Sequence, residues 1–187
     1  MVLLVAIAVL FVALGGFGVA AVLSRTEWAK ELDLAIATEL PWLSNQARAL
    51  MLAHAAYESD FGTGYAARHA YNPWNVTAGR DGSPALEKYL AAGGKVLHQE
   101  NADWEYDSTG QRYRIAQNWR AFGNWREAVA DYWRNWMLRP TYAPARAALE
   151  RADLESFVRE LRGVRYFSLP VEQYITGLRR AAEELSS

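Results

Sequence analysis

Ala53-His54-Ala55-Ala56-Tyr57-Glu58-Ser59-Asp60-Phe61-Gly62-Thr63-Gly64 is the stretch from which the rest of the chain is read. Upstream, Ser44 offers an N-cap, and Ala47, Leu50, Met51, His54, Tyr57 and Glu58 recur at steps of three and four, which places them on one face of a helix. Glu58 therefore closes a buried stripe instead of pointing to open water. Gly62 and Gly64, free of a Cβ penalty, are expected to end the helix. A glutamate where a helix runs out into a glycine-containing loop has an apolar wall behind it and room for a groove in front. Surroundings of that kind raise a carboxyl pKa and suit a general acid.

Outward from this helix, residues 71–94 read as loop, with Asn72-Pro73, Arg80-Asp81-Gly82 and Gly93-Gly94 as turn signals and a short helix over 84–92. Two strand candidates, 102–106 and 111–118, face each other across Asp107-Ser108-Thr109-Gly110 and predict a β-hairpin, with Glu105 directed opposite to Trp104 and Tyr106. Asn124 and Glu127 form a capping-box pattern ahead of a stripe of Trp125, Val129, Tyr132, Trp133, Trp136 and Met137, ended by Pro140 and assigned to the core. Asp153 caps a helix carrying Leu154, Phe157, Val158 and Leu161. Ser168-Leu169-Pro170 starts a last helix whose buried positions are Val171, Tyr174, Ile175 and Leu178. The fold class expected is α+β, mostly helical with one small hairpin.

The N-terminus carries a separate signal. Residues 2–23 contain no charged, amide or hydroxyl side chain, and as a helix they span roughly 30 Å, the thickness of a bilayer's hydrocarbon core. With only Met1 ahead of it, the run reads as one transmembrane helix in preference to a cleaved signal peptide. The organisation expected is an anchor over 1–24, a stalk or helix over 25–43 in which 26–40 continues the membrane helix as far as Pro41 and packs back on the domain, and a soluble domain over 44–187. Arg25 and Lys30 lie after the span, and the positive-inside tendency taken alone keeps the C-terminal part cytoplasmic.

A net charge of -1 argues against a nucleic-acid binder. Cysteine is absent, which excludes disulfides and thiolate metal sites. His54, His69 and His98 have no ligand spacing, so His54 reads as a satisfied helix-face histidine, and neither a metal nor a cofactor is implied. Eight Trp and ten Tyr exceed what a core of this size needs, and the excess suits sugar binding, because aromatic faces pack on the apolar faces of pyranose rings.

Five short motifs in order carry a resemblance. The opening stretch is similar to "AxAxxESxxGxS", Tyr71-Asn72-Pro73-Trp74-Asn75-Val76 to "NNxFG", Trp104-Glu105-Tyr106 to "TEY", Trp119-Arg120-Ala121-Phe122 to "FRxY", and Tyr166-Phe167-Ser168-Leu169-Pro170 with Tyr174 and Leu178 to "GYATDPxYxxxL". Together they resemble the lysozyme-like family-73 glycoside hydrolases, the glucosaminidases of flagellar and autolysin type. Pro73, Asn75 and Leu169 depart from the family pattern.

The resemblance implies a lysozyme-like domain that hydrolyses the glycan strands of peptidoglycan at N-acetylglucosamine, an endo-β-N-acetylglucosaminidase. Glu58 corresponds to the family's catalytic acid, Glu105 to its hairpin carboxylate and Tyr166 to the tyrosine of its terminal motif. Glu100 and Glu87 are competitors for the second carboxylate. Trp74 is expected to stack on a sugar, and Tyr71, Asn72 and Asn75 to line the substrate site. A muramidase or lytic transglycosylase, which needs only one acid, is the alternative within the same chemistry. A wall-binding structural protein without catalysis is the alternative outside it. An anchor joined to one small domain, facing the cell wall, suits a membrane-containing virus particle or a secretion or flagellar apparatus that opens the wall locally.

Overall fold

Ser24 sits in extended backbone and accepts the Glu27 amide on its side chain, while the Glu27 carboxylate returns to the Ser24 amide. This capping box starts helix α1 (Arg25–Glu39) afresh. The computed structural model describes residues 23–106 and 112–186, with only the backbone course at 101, 103–106, 112 and 113. All but the last residue of the run at 2–23, read as an anchor, falls outside them. Among the described residues no helix is long and apolar enough to cross a membrane.

The segment over 25–43 packs back on the domain. Trp28, Leu32, Ala35 and Ile36 share one face of α1 and are buried with Leu40 and Leu43 in the same core as the rest of the domain. Steps of four, three and one residue keep them in line.

Helix α2 (Asn45–Ser59) is the axis of the fold, packed against α1, α6 and α8. Ala47, Ala53, Ala55 and Ala56 are fully buried on it, and small side chains allow neighbours on several sides. The helix stops at Asp60, two residues before the first of its glycines. Asp60, Phe61 and Gly62 are three successive left-handed residues, and Ser59 latches the turn: its hydroxyl donates to the Ala55 carbonyl at 2.6 Å and accepts the Gly62 amide at 2.9 Å. Gly62 is required twice over, by its φ of +78° and because a Cβ there would lie 2.3 Å from the Trp28 indole.

Helix α3 (Tyr65–Ala70) leads to the loop at 71–83, helix α4 (Pro84–Ala91) and the antiparallel pair β1 (Lys95–Tyr106) and β2 (Arg112–Ala121). The hairpin is longer than its sequence signal, because β1 begins at Lys95 and runs through an irregularity between Gln99 and Asp103. Thr77 forms a bridge with Trp119, and the Ala78 and Arg120 amides pair with the Asn118 and Val76 carbonyls. That pairing ties the loop after α3 to the hairpin. The remaining elements are α5 (Trp125–Tyr132), a π-helical turn (Trp133–Met137), a short 3-10 turn (Pro140–Tyr142), α6 (Ala143–Glu150), α7 (Leu154–Gly163) and α8 (Val171–Ser186). Arg120 on β2 meets Asp131 on α5 at 2.8 and 2.9 Å, both largely buried, and joins the hairpin to the helical body.

Candidate active site

Glu58 is the next-to-last residue of α2, with its side chain 18% exposed. Two cavities meet at it. The larger, ≈ 1160 Å³, is bordered by Tyr57, Gln117, Arg165, Tyr166 and Tyr174, and the smaller, ≈ 210 Å³, by Trp74, Asn75, Thr77, Trp136 and Tyr166. Among the described residues around both, Glu58 is the only carboxylate.

The loop over 72–76 is shaped by Asn72, which is fully buried. Its side-chain amide donates to the Val76 and Arg120 carbonyls at 2.8 and 3.0 Å, and its oxygen accepts the Val76 amide at 2.9 Å. Asn72 is thus a brace, not a substrate ligand, because its polar atoms are already engaged inside the protein. The brace places Asn75, half-buried at a left-handed φ of 51°, so that its amide donates to the Glu58 carbonyl. It also turns the Trp74 carbonyl toward Tyr166, whose hydroxyl donates to it at 3.0 Å.

Two further expectations are corrected here. Trp74 is 2% exposed and its ring stacks on Tyr132, with centroids 4.4 Å apart and planes at 14°. Its ring is a core surface, so it offers no open platform to a sugar. Tyr71 ends α3 in a left-handed conformation and packs edge-on against Trp125 at 4.8 Å, away from both cavities. Conversely Trp136, expected in the core, is half-buried and borders the smaller cavity. The rest of the stripe does enter the core, since Trp133 and Met137 in the same π-helical turn are buried, and Trp136 lies at its edge. Arg139 lies over the Trp136 ring at 4.5 Å.

Glu105 stands in β1 opposite Tyr113, and its side chain lies outside the described residues. Gln117, nearer the middle of β2, is the hairpin residue that borders the larger cavity. Glu100 pairs with His98 at 3.0 Å and is exposed, as is Glu87 on α4, and neither lines the cavities at Glu58.

Behind Glu58 lies a group of aromatic hydroxyls that sequence reading assigned to the core. Tyr174 of α8 donates its hydroxyl to Glu58 Oε1, with its ring stacked on Phe167 at 3.8 Å and edge-on to Tyr57 at 4.8 Å. His54, one turn before Glu58 and fully buried, has Nε2 at 3.0 Å from that hydroxyl and Nδ1 at 3.3 Å from the hydroxyl of Tyr132. The four-residue spacing of His54 and Glu58 was the available signal. Tyr174 stood in the terminal motif without a role beside Glu58, and Tyr132, from another helix, left no signal. Among the described residues no group of three or more His, Asp or Glu stands ready to hold a metal ion.

Burial, followed by the Glu58 charge, raises the phenol pKa of Tyr132, Tyr166 and Tyr174 well above the ordinary value, and a smaller rise of the same origin holds for Tyr57. These groups remain hydrogen-bond donors throughout the physiological range. A phenol of raised pKa holds its proton more tightly in the folded than in the unfolded chain. Its contribution to stability is therefore complete below about pH 10 and is lost as pH climbs further. The unfolding temperature is expected to fall above about pH 10. In an absorbance titration the tyrosinate signal of these three residues should emerge only with unfolding. Ten tyrosines all titrating near the ordinary value in a folded protein would contradict this packing.

Similar architectures occur in solved structures. The catalytic domain of the autolysin Auto from Listeria monocytogenes superposes with a TM-score of 0.58 at 18% identity, over 89% of each chain. The glycoside hydrolase domain of FlgJ from Salmonella typhimurium gives 0.56 at 20% identity, over 88% of this chain and 89% of that one. A peptidoglycan hydrolase mutant from Sphingomonas sp. A1 gives 0.52 at 23% identity, over 80% of this chain and 92% of that one. No match is found among curated proteins. The family model for glucosaminidases, described as mannosyl-glycoprotein endo-beta-N-acetylglucosaminidase, matches residues 39–187, a stretch that contains α2, the hairpin and Tyr166, and the chain belongs to that family of glycoside hydrolases.

Proposed function

We propose that this glycoside hydrolase cleaves the glycan strands of peptidoglycan at N-acetylglucosamine, with Glu58 as the general acid. The observation that carries the reading is the place of Glu58: the one described carboxylate on a cleft of ≈ 1160 Å³, at a helix end fixed by Asn75 and Tyr174. That volume exceeds the roughly 300–1,000 Å³ of a small-molecule pocket and suits a segment of polymer. Two of the similar folds are described as an autolysin and a peptidoglycan hydrolase, which favours this substrate.

Glu58 protonates the bridging oxygen as the glycosidic bond breaks. The oxocarbenium-like charge left on the sugar then needs a carboxylate or the substrate's own acetamido oxygen. Glu105, on the hairpin beside the cleft, is our candidate for the carboxylate. Tyr166, at the junction of the two cavities, is our candidate for orienting the N-acetyl group, and Asn75 for shaping the neighbouring subsite. A lytic transglycosylase is the second reading, favoured by the single described acid at the cleft.

Digestion of purified sacculi with the full chain tests both. N-acetylglucosamine at the new reducing ends supports the glucosaminidase reading. Anhydro ends, with activity intact in Glu105→Gln, would replace it by the transglycosylase.

We further infer that residues 2–23 hold the domain to a bilayer with its cleft toward the wall, as a component of a larger membrane or virion assembly that opens the wall locally. Their uninterrupted apolar character supports the anchor. Retention of the full chain in membranes after an alkaline carbonate wash is the expected result, and release into the supernatant would refute it.

A further inference from the structure

We propose that His54 is a positioning residue for the reaction: its Nε2 proton, given to the Tyr174 oxygen, commits the Tyr174 hydroxyl to Glu58 Oε1 and so leaves Oε2 to carry the proton that the substrate receives. The inference rests on Glu58 being the acid.

The argument is a count of protons. Tyr174 has one hydroxyl proton, and it is directed at Glu58 Oε1. The 3.0 Å contact between the same hydroxyl and His54 Nε2 can then be a hydrogen bond only if Nε2–H is the donor. With the Nε2 proton fixed, Nδ1 is the acceptor for the Tyr132 hydroxyl at 3.3 Å. Three donors therefore point the same way, Tyr132 to His54, His54 to Tyr174 and Tyr174 to Glu58, and the third partner of each bond fixes its tautomer or rotor.

Little slack exists to break this order. His54 is fully buried, with the Phe157 and Tyr166 rings each 5.3 Å from its own, and Tyr132 and Tyr174 are each 1% exposed. The titratable and charged groups facing the relay are Tyr57 and Glu58 from α2, Tyr132 from α5, Tyr142 from the 3-10 turn, Tyr166 from the α7–α8 connection and Arg165 at the cavity rim. Tyr166 does not compete for the carboxylate, because its hydroxyl is held by the Trp74 carbonyl.

A carboxyl group has two oxygens, and a general acid works only when the protonated one faces the leaving oxygen. A hydroxyl that always donates to Oε1 makes it the acceptor in both protonation states, so the transferable proton resides on Oε2.

Tyr174→Phe, which removes one oxygen from a ring clamped by Phe167 and Tyr57, is the primary variant. On soluble uncrosslinked peptidoglycan fragments it should lower kcat about tenfold with KM little changed, because the donor that orients the acid is lost while the cleft is not. His54→Gln keeps an N–H donor at that position and His54→Phe does not, so the Gln variant should retain several times more kcat. An unchanged kcat in Tyr174→Phe, with only the melting temperature lowered, would overturn the proposal, as would equal kcat in the two His54 variants. Activity surviving in Glu58→Gln would instead remove the reading beneath it. A dead Glu58→Gln beside an unaffected Tyr174→Phe would overturn the relay alone.

Discussion

Glu58→Gln is expected to reduce turnover about 1,000-fold while leaving the fold unchanged, since a positioned general acid typically contributes 100- to 10,000-fold. The substitution preserves shape and an oxygen that accepts from Tyr174, so the helix end and the aromatic wall behind it have no reason to move. What it removes is the transferable proton. The measurement is product release from soluble peptidoglycan fragments, beside a circular-dichroism melt of the same preparation. Turnover within tenfold of the parent, with an unchanged melt, would mean that Glu58 does not protonate the leaving group. Glu105→Gln separates the routes after bond cleavage: a large loss points to a carboxylate from the hairpin, a small one to the substrate's acetamido group.

Trp28→Ala is expected to cost about 3–5 kcal/mol, the range for removing a large buried aromatic. The change lies in a segment that sequence reading placed outside the domain. Trp28 is 2% exposed, meets Trp125 edge-on at 6.4 Å, and covers the backbone of Gly62, three residues beyond the end of α2. For a chain of this size each kcal/mol shifts the melting temperature by roughly 2–4 °C, so a drop on the order of 10 °C should be seen. Because the indole backs the turn that follows Glu58, activity should also fall below the parent's melting temperature. A melt unchanged within 2 °C or so would mean that α1 is a detachable stalk.

Legibility differed from element to element for physical reasons. The α2 stripe, the antiparallel pairing of the two strands and the caps at Ser44, Asn124 and Asp153 were readable, because each depends on residues close to one another in the chain. The helix α1 was legible only as a stalk folding back, not as part of the core, because the apolar run before it suggested a continued membrane helix, although Trp28, Leu32, Ala35 and Ile36 have the spacing of a buried face and Ser24 and Glu27 form a capping box. The helix stop at Asp60 instead of Gly62 followed from Ser59, whose hydroxyl bond is invisible as a pattern. Trp74 was read as exposed and Trp136 as core, and each lies elsewhere. The first is drawn inward by the Asn72 brace and its stack on Tyr132, and the second sits half-buried at the edge of the core, where it borders the smaller cavity.

What the sequence by itself determined is the local grammar: which stretches are helical, where one hairpin turns, and that Glu58 ends a buried face in a motif of glucosaminidase type. Hydrophobic period, capping chemistry and turn residues act over distances of a few residues, so they survive in a linear reading. Only the tertiary structure decided which groups converge on that glutamate. Tyr132, His54 and Tyr174 lie on three helices and 120 residues separate His54 from Tyr174, so their hydrogen bonds exist only after those helices have packed.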